Sequence, residues 1–336
     1  MELLLTGATG FVGRNLLLRL IPDARFSRII LPVRDPEKLK MQLSMELRDA
    51  MTMDQLGDRL QIVKVSGDAW EIPGRVRPDL AIHAAGRLFG REREGYFQTN
   101  MQGSLNLARQ LPEITRMIVL SSLAAGGPTP KGKESRSMDH DDAPFSFYGA
   151  SKLAMEKRLQ EKLGSRLLIL RPPMVLGARD TATVPLFQMA KGVVRVKPGF
   201  QPKQYSWIAV DDLCDALLAA AMSQWPDDRK PFYLTGSGSI TDTMLLATAA
   251  EVIAARGITL PLPHAVIQGV SILLDSIPAL REAVPSLGRD RVREILPNRW
   301  VCDGSEFAKA FDWKPRRGFA ETLKATAEWL KNRDKI

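Results

Sequence analysis

The chain is poor in the residues that usually build metal centres and disulfide frameworks: of 336 residues, two are cysteine and three are histidine. Cys214 and Cys302 stand far apart with no C-x-x-C spacing, which excludes a disulfide scaffold and points to a reducing compartment. His83, His140 and His264 form no metal-ligand spacing, so metal catalysis is not expected. The run Asp139-His140-Asp141-Asp142 reads as a polar loop, flanked by Gly126, Gly127, Pro128, Pro130 and Pro144. Long apolar runs are also missing. No stretch approaches ~18 uncharged apolar residues, so no membrane span is expected. The nearest candidate, Ala265 to Leu274, runs straight into Asp275 and reads as a helix on a core or over a pocket. Met1-Glu2-Leu3-Leu4-Leu5 stops at Thr6-Gly7, leaving no basic leader and no room for a signal peptide. A cytoplasmic protein is expected.

What is present is an ordinary globular composition, 45% hydrophobic and 25% charged, which excludes disorder. The 47 basic and 38 acidic residues leave a net charge of +9. From Arg289 onward there are 12 basic and 8 acidic residues, interspersed rather than clustered. No helix-turn-helix, zinc-finger or basic-stripe pattern accompanies them. The excess therefore reads as solvated surface that mildly attracts an anionic dinucleotide, and neither nucleic acid nor membrane is expected as a partner.

Short aliphatic runs alternate with helical patterns over the first two thirds of the chain. Strands are expected at Glu2–Leu5, Arg28–Val33, Gln61–Val65, Asp79–His83, Met117–Ser121 and Arg166–Arg171. Helices are expected at Val12–Ile21, Pro36–Met51, Tyr96–Leu111 and Tyr148–Leu163. Such alternation predicts an α/β fold, a doubly wound parallel sheet of Rossmann type, with ligands at the carboxyl ends of its strands. After Pro172 the alternation loosens. Residues 1–172 read as a dinucleotide-binding domain, and 173–336 as mostly a smaller substrate lobe with segments returning to the sheet.

Thr6-Gly7-Ala8-Thr9-Gly10-Phe11-Val12-Gly13 follows a strand and opens a helix. Gly7, Gly10 and Gly13 suit a tight turn, close approach to a pyrophosphate and close helix–strand packing, and the helix N-terminus presents N–H groups to the anion. The second strand ends Val33-Arg34-Asp35, with Val33 where an NAD site would place an acid. Arg34 suits the 2′-phosphate of NADP(H), and Asp35 reads as the cap of the next helix. NADP(H) is expected, with NAD(H) as the alternative.

Tyr148 and Lys152 are spaced i and i+4 and share a helix face. A tyrosine titrates near pH 10 unperturbed; an adjacent ammonium stabilises its phenolate and brings it into range as a general acid/base. A serine at the end of the fifth strand, Ser122 with Ser121 as fallback, would orient a carbonyl oxygen.

With Asp68 in Ser66-Gly67-Asp68, Ala81-Ile82-His83-Ala84-Ala85-Gly86 and Arg171-Pro172-Pro173, these motifs occur in an order that resembles the extended short-chain dehydrogenase/reductase superfamily, its epimerase/dehydratase and hydroxysteroid-dehydrogenase branches. The resemblance covers nearly the whole chain. It implies that Asp68 contacts the adenine, that Thr9, Phe11, Val12, Ala84 and Ala85 lie along the cofactor, and that Asn100 is near it. It further implies that Lys152 bonds the nicotinamide ribose and that Pro172, Pro173 and Val175 lie against the nicotinamide. It makes a homodimer plausible, through the helices Tyr96–Leu111 and Tyr148–Leu163. Two serines followed by the aliphatic Leu123 match the steroid-dehydrogenase pattern better than the three serines frequent in epimerases.

Sugar-nucleotide enzymes of this superfamily usually grip the diphosphate with an arginine where this chain has Tyr205. Arg195, Lys197 or Lys203 could replace it. Phe187, Met189, Phe200, Trp207 and the Ala265–Leu274 helix are candidates to line an apolar pocket, though ordinary core packing is the expectation for most of them. The expected activity is hydride transfer between NADP(H) and a hydrophobic carbonyl or alcohol, a small-molecule substrate. The alternative is an NAD-dependent sugar-nucleotide epimerase or dehydratase. A thioester-reductase-like enzyme and a cofactor sensor are weaker readings.

Overall fold

Five of the six expected strands owe their place to a period of two that is apolar on both faces. β1 (Glu2–Thr6), β2 (Arg28–Val33), β3 (Leu60–Lys64), β4 (Leu80–His83), β5 (Arg116–Leu120) and β6 (Leu167–Arg171) form one parallel sheet. Leu3, Leu5, Ile29, Leu31, Ile82, Ile118 and Leu168 face one core, while Leu4, Ile30, Ala81, Met117 and Ile169 face another. A strand buried on both sides in this way belongs inside a sheet covered by helices on each face. The computed structural model describes residues 1–47, 57–67, 70, 72, 76–90, 92–227, 230–276 and 289–336.

Seven strands run in the order β10-β6-β5-β4-β1-β2-β3, the far edge being β10 (Phe232–Tyr233), which pairs in parallel with β6. The chain winds outward from β1 to β3 and then returns to β4, so the topology reverses between β1 and β4. Their carboxyl ends, Thr6 beside His83, mark the crevice where this class of sheet binds ligands.

Helices Phe11–Leu20 and Val210–Met222 cover the first core, and Gly103–Gln110 and Phe147–Leu163 cover the second. The helix expected over Tyr96–Leu111 is longer and interrupted: a turn Arg93–Tyr96, a π-helical segment Phe97–Gln102 and then Gly103–Gln110 run on continuously. The helix expected to reach Met51 is described as Pro36–Leu47, and its remainder lies outside the described residues.

The rest of the chain builds small sheets. β7 (Met174–Leu176), β9 (Gln204–Ala209), β11 (Ser239–Thr241) and β13 (Arg299–Trp300) form one, and β8 (Val194–Pro198) with β12 (Ile258–Leu262) forms a two-stranded ribbon. A third core joins helices Val184–Lys191, Asp242–Val252 and Phe319–Lys331.

Candidate active site

The loop after β1 is shaped by contacts that only glycine permits. Gly7 has φ +77°, and a Cβ there would come within 2.8 Å of the Ala84 carbonyl carbon and the Ala85 nitrogen. A Cβ at Gly13 would come within 2.1 Å of the Gly7 oxygen. The loop thus closes to leave backbone where side chains would stand. Helix Phe11–Leu20 begins at Gly10 with no side-chain cap and no acidic residue in its first turn. Its first N–H groups are therefore directed to whatever anion occupies the crevice. These residues fit a dinucleotide pyrophosphate.

A cavity of about 770 Å³ runs from this loop across the strand ends. Of the residues picked out from the sequence, Gly10, Phe11, Val12, Gly13, Ala84, Ser122, Tyr148, Lys152, Pro172, Pro173 and Val175 line it. Gly7, Thr9 and Ala85 are not among the lining residues, and the Gly7 turn closes on the Ala84–Ala85 backbone. Asp68 lies outside the described residues. Arg34 is exposed just past β2, and Asp35 accepts the Lys38 N–H at 2.9 Å as the cap of the following helix.

Asn100 is buried and does not line the cavity. Its amide accepts from the Arg87 N–H at 2.7 Å and donates to Ser151 Oγ at 2.9 Å, tying the loop after β4 to the helix that carries Tyr148 and Lys152. It sits on the π-helical segment, where the Asn100 carbonyl accepts the Ser104 hydroxyl at 2.5 Å.

Helix Phe147–Leu163 places Tyr148 and Lys152 on the cavity and Glu156 one turn further along. Lys152 is buried and donates to the Leu120 carbonyl at 2.8 Å. Burial brings its ammonium down to about 8, with Glu156 opposing the shift. Ser122 caps the short helix Leu123–Gly126 by accepting the Ala124 N–H at 3.1 Å, which leaves its own proton to donate. Ser121 also lines the cavity and is buried against Glu156.

Behind this helix is a buried ionic hub that the sequence reading left without a role. Arg171, at the end of β6, forks onto Glu156 at 2.9 and 2.5 Å and onto Asp142 at 2.6 and 2.8 Å. It also donates to the Tyr233 hydroxyl at 2.9 Å. Burial pushes the Glu156 carboxyl up, while the two carboxylates hold Arg171 firmly in its charged form. The i+4 step from Lys152 to Glu156 was a signal in the sequence; the partnership with Arg171 was not.

Helix Arg289–Ile295 adds two more acids. Asp290 accepts the Phe147 N–H at 2.9 and 3.0 Å, and Glu294, on the cavity wall, accepts the Ser146 hydroxyl while Ser146 caps Gly149. Asp180 also lines the cavity, and burial raises its carboxyl to about 7.

Ordinary core packing holds for two of the candidates for an apolar lining. Phe187 and Trp207 are packed inside the third core, Met189 and Phe200 are exposed, and none of the four lines the cavity. The apolar wall includes Phe11, Leu88, Phe89, Leu186, Leu245 and Ile295, with Tyr205 and Trp300 among them. The three cations offered as substitutes for the missing arginine are committed elsewhere. Arg195 donates to the Ala190 and Ala255 carbonyls, Lys197 to those of Gly199 and Gln201, and Lys203 to Leu296, Pro297 and Asn298.

Residues 3–230 match the model of the NAD dependent epimerase/dehydratase family. Ceramide reductase of Caulobacter vibrioides is 26% identical over 334 residues, covering 97% of this chain and 93% of that protein. UDP-glucose 4-epimerase of Vibrio cholerae is 24% identical over 350 residues, with 97% and 94% covered. Among solved structures, UDP-glucuronic acid 4-epimerase from Bacillus cereus in complex with NAD superposes with a TM-score of 0.72 at 16% identity, over 99% of both chains. dTDP-glucose 4,6-dehydratase from Bacillus anthracis in complex with NAD gives 0.72 at 14% identity, over 100% of this chain and 98% of that one. At these identities the structures show a shared fold. The family match spans the phosphate loop, the serine pair and the tyrosine–lysine helix, and on it this chain belongs to the NAD dependent epimerase/dehydratase family, within the extended short-chain dehydrogenase/reductase superfamily.

Proposed function

We propose that the protein is a ketoreductase, or the reverse alcohol dehydrogenase, that uses NADP(H) on a hydrophobic carbonyl compound. One observation carries the substrate class. Among the described residues lining the cavity Lys152 is the one cation, while Asp180 and Glu294 are carboxylic acids and most of the rest is apolar. A nucleoside diphosphate sugar would bring its charges to a wall with no cation beyond Lys152, which the nicotinamide ribose would engage. The likeness to ceramide reductase supports the same substrate class.

The cofactor preference rests on β2. Val33 is buried, Asp35 is engaged as a helix cap, and Arg34 stands next to where the adenosine ribose would lie. The phosphate loop would hold the pyrophosphate, and Lys152 the nicotinamide ribose. A bound nicotinamide supplies or accepts hydride at the carbonyl carbon. Ser122 donates its free proton to the carbonyl oxygen and aims it at Tyr148. Tyr148 gives its phenolic proton to that oxygen in reduction and takes it back in oxidation. The Lys152 ammonium stabilises the phenolate left behind.

NADPH consumption with long-chain ketones, set beside NADH and UDP-sugars, tests this reading. Tyr148→Phe should lower turnover by about 100-fold or more. Arg34→Ala should weaken NADPH about tenfold and leave NADH unchanged. Purified protein that retains oxidised NAD, consumes no NADPH and epimerises a sugar nucleotide would establish the alternative reading instead.

A further inference from the structure

The ribbon β8–β12 is built inside out. Its register pairs Val194 with Ile258 and Val196 with Leu260, and these four side chains are between 41% and 60% exposed. The intervening Arg195 and Lys197 are buried, held by the backbone carbonyls named above. A slip of one residue in a strand exchanges its two faces, and here the buried hydrogen bonds of the two cations oppose that slip. The aliphatic face is thereby kept outward. Val193 and Phe200, at either end of β8, are 76% and 71% exposed. Helix His264–Ser276 starts beside Gly199 and exposes Val266, Val270 and Leu273, spaced i, i+4 and i+7.

The charge on these segments is mainly basic. Residues 189–202 and 256–276 contain Lys191, Arg195, Lys197 and Arg256 against the single acid Asp275, and Lys191 and Arg256 are exposed. The segments also flank the substrate side of the cavity. Helix Val184–Lys191 contributes Pro185 and Leu186 to the cavity and leads into β8. Helix Arg289–Ile295 contributes Glu294 and Ile295 and packs on helix His264–Ser276.

We propose that this face seats the protein on an anionic lipid bilayer. The aliphatic ribbon and Phe200 enter the boundary between headgroups and acyl chains, and Lys191 and Arg256 meet lipid phosphates. An apolar surface with a mainly basic rim suits that partner better than a second copy of itself, because a two-fold interface would bring mostly like charges together. No membrane partner was expected from the sequence, since a span needs a long apolar run; peripheral docking needs only a surface.

Flotation with large unilamellar vesicles tests this, using equal parts phosphatidylglycerol and phosphatidylcholine against phosphatidylcholine alone. Binding is expected to the anionic vesicles and to weaken at high salt. The triple variant Val194→Ser, Phe200→Ser, Ile258→Ser should lower partitioning about tenfold or more, and Lys191→Glu with Arg256→Glu should erase the preference for anionic lipid. Circular dichroism and cofactor titration establish that each variant is folded. Equal binding by the triple variant and the parent protein overturns the proposal. So does absence of vesicle binding together with a dimer, seen by light scattering, that the triple variant dissociates. Flotation reads no turnover, so a failed ketoreductase assay with intact vesicle binding separates the two readings.

Discussion

His83 is a buried histidine at the end of β4 that takes up no second proton near neutrality. Its Nδ1 lies 2.7 Å from the Thr6 hydroxyl and its Nε2 lies 2.7 Å from Ser104 Oγ. Ser104 spends its own proton on the Asn100 carbonyl, so it accepts from Nε2–H, and Nδ1 accepts from Thr6. Burial, reinforced by the Lys152 charge, lowers His83 to about 3. The unfolded chain takes up a proton below about pH 6.5 and the folded one does not. Stability present above pH 6.5 is therefore lost as pH falls toward 3, with a slope approaching about 1.4 kcal/mol per pH unit from this group alone. His83→Gln should be less stable at neutrality, with a flatter loss between pH 6 and 4; urea midpoints against pH check it, and parallel curves would count against it. Lys152 sets the other limb. With its ammonium brought down to about 8, phenolate stabilisation fades as pH rises past that value. The ratio kcat/KM, which reports the free enzyme, should decline there, and Lys152→Arg should shift that limb upward at lower overall activity, as a pH–rate profile would show.

Helix Phe147–Leu163 carries Tyr148, Lys152 and Glu156 on one stripe, one turn apart, and in the proposed mechanism its position depends on what holds its first turn and its middle. Ser146 and Asp290 satisfy its first N–H groups, and Arg171 clamps Glu156 from β6. Removing one partner of a buried ion pair while leaving the other costs about 3–5 kcal/mol. Glu156→Gln should therefore lower the melting temperature. It should also cut kcat more than it changes KM, because the stripe moves relative to Ser122 while the apolar wall remains. A loss confined to KM would place Glu156 outside this role. Gly13→Ala tests the phosphate loop in the same way. Its methyl group has no room against the Gly7 carbonyl, so cofactor affinity should fall about tenfold or more, read by fluorescence titration.

At the scale of the whole molecule, the cavity is closed by segments remote in sequence from the phosphate loop. Leu186, Tyr205, Leu245, Glu294 and Trp300 all reach it from beyond Pro172. Glu294 adds a carboxyl group to this wall. Glu294→Gln should leave KM for a neutral hydrophobic ketone within about threefold, while reducing discrimination against a keto acid of equal length about tenfold. Steady-state kinetics with the matched pair of substrates decides it; unchanged discrimination would remove Glu294 from specificity.

The sequence by itself determined the parallel sheet, the glycine loop after β1 and the tyrosine–lysine spacing. These are local patterns: the alternation of apolar residues, glycine spacing after a strand and the i, i+4 step of a helix all express short-range geometry. Only the tertiary structure decided that Phe187 and Trp207 are core rather than cavity, since an apolar residue reads alike in either place. Only it showed that Arg195 and Lys197 point inward while Val194 and Val196 face out, against the ordinary sense of a strand. The reason is common to both: local pattern specifies which side chains share a face, whereas burial depends on what distant segments supply to that face. The same holds for Arg171, whose partners Asp142, Glu156 and Tyr233 come from three separate segments and meet only when the sheet is assembled.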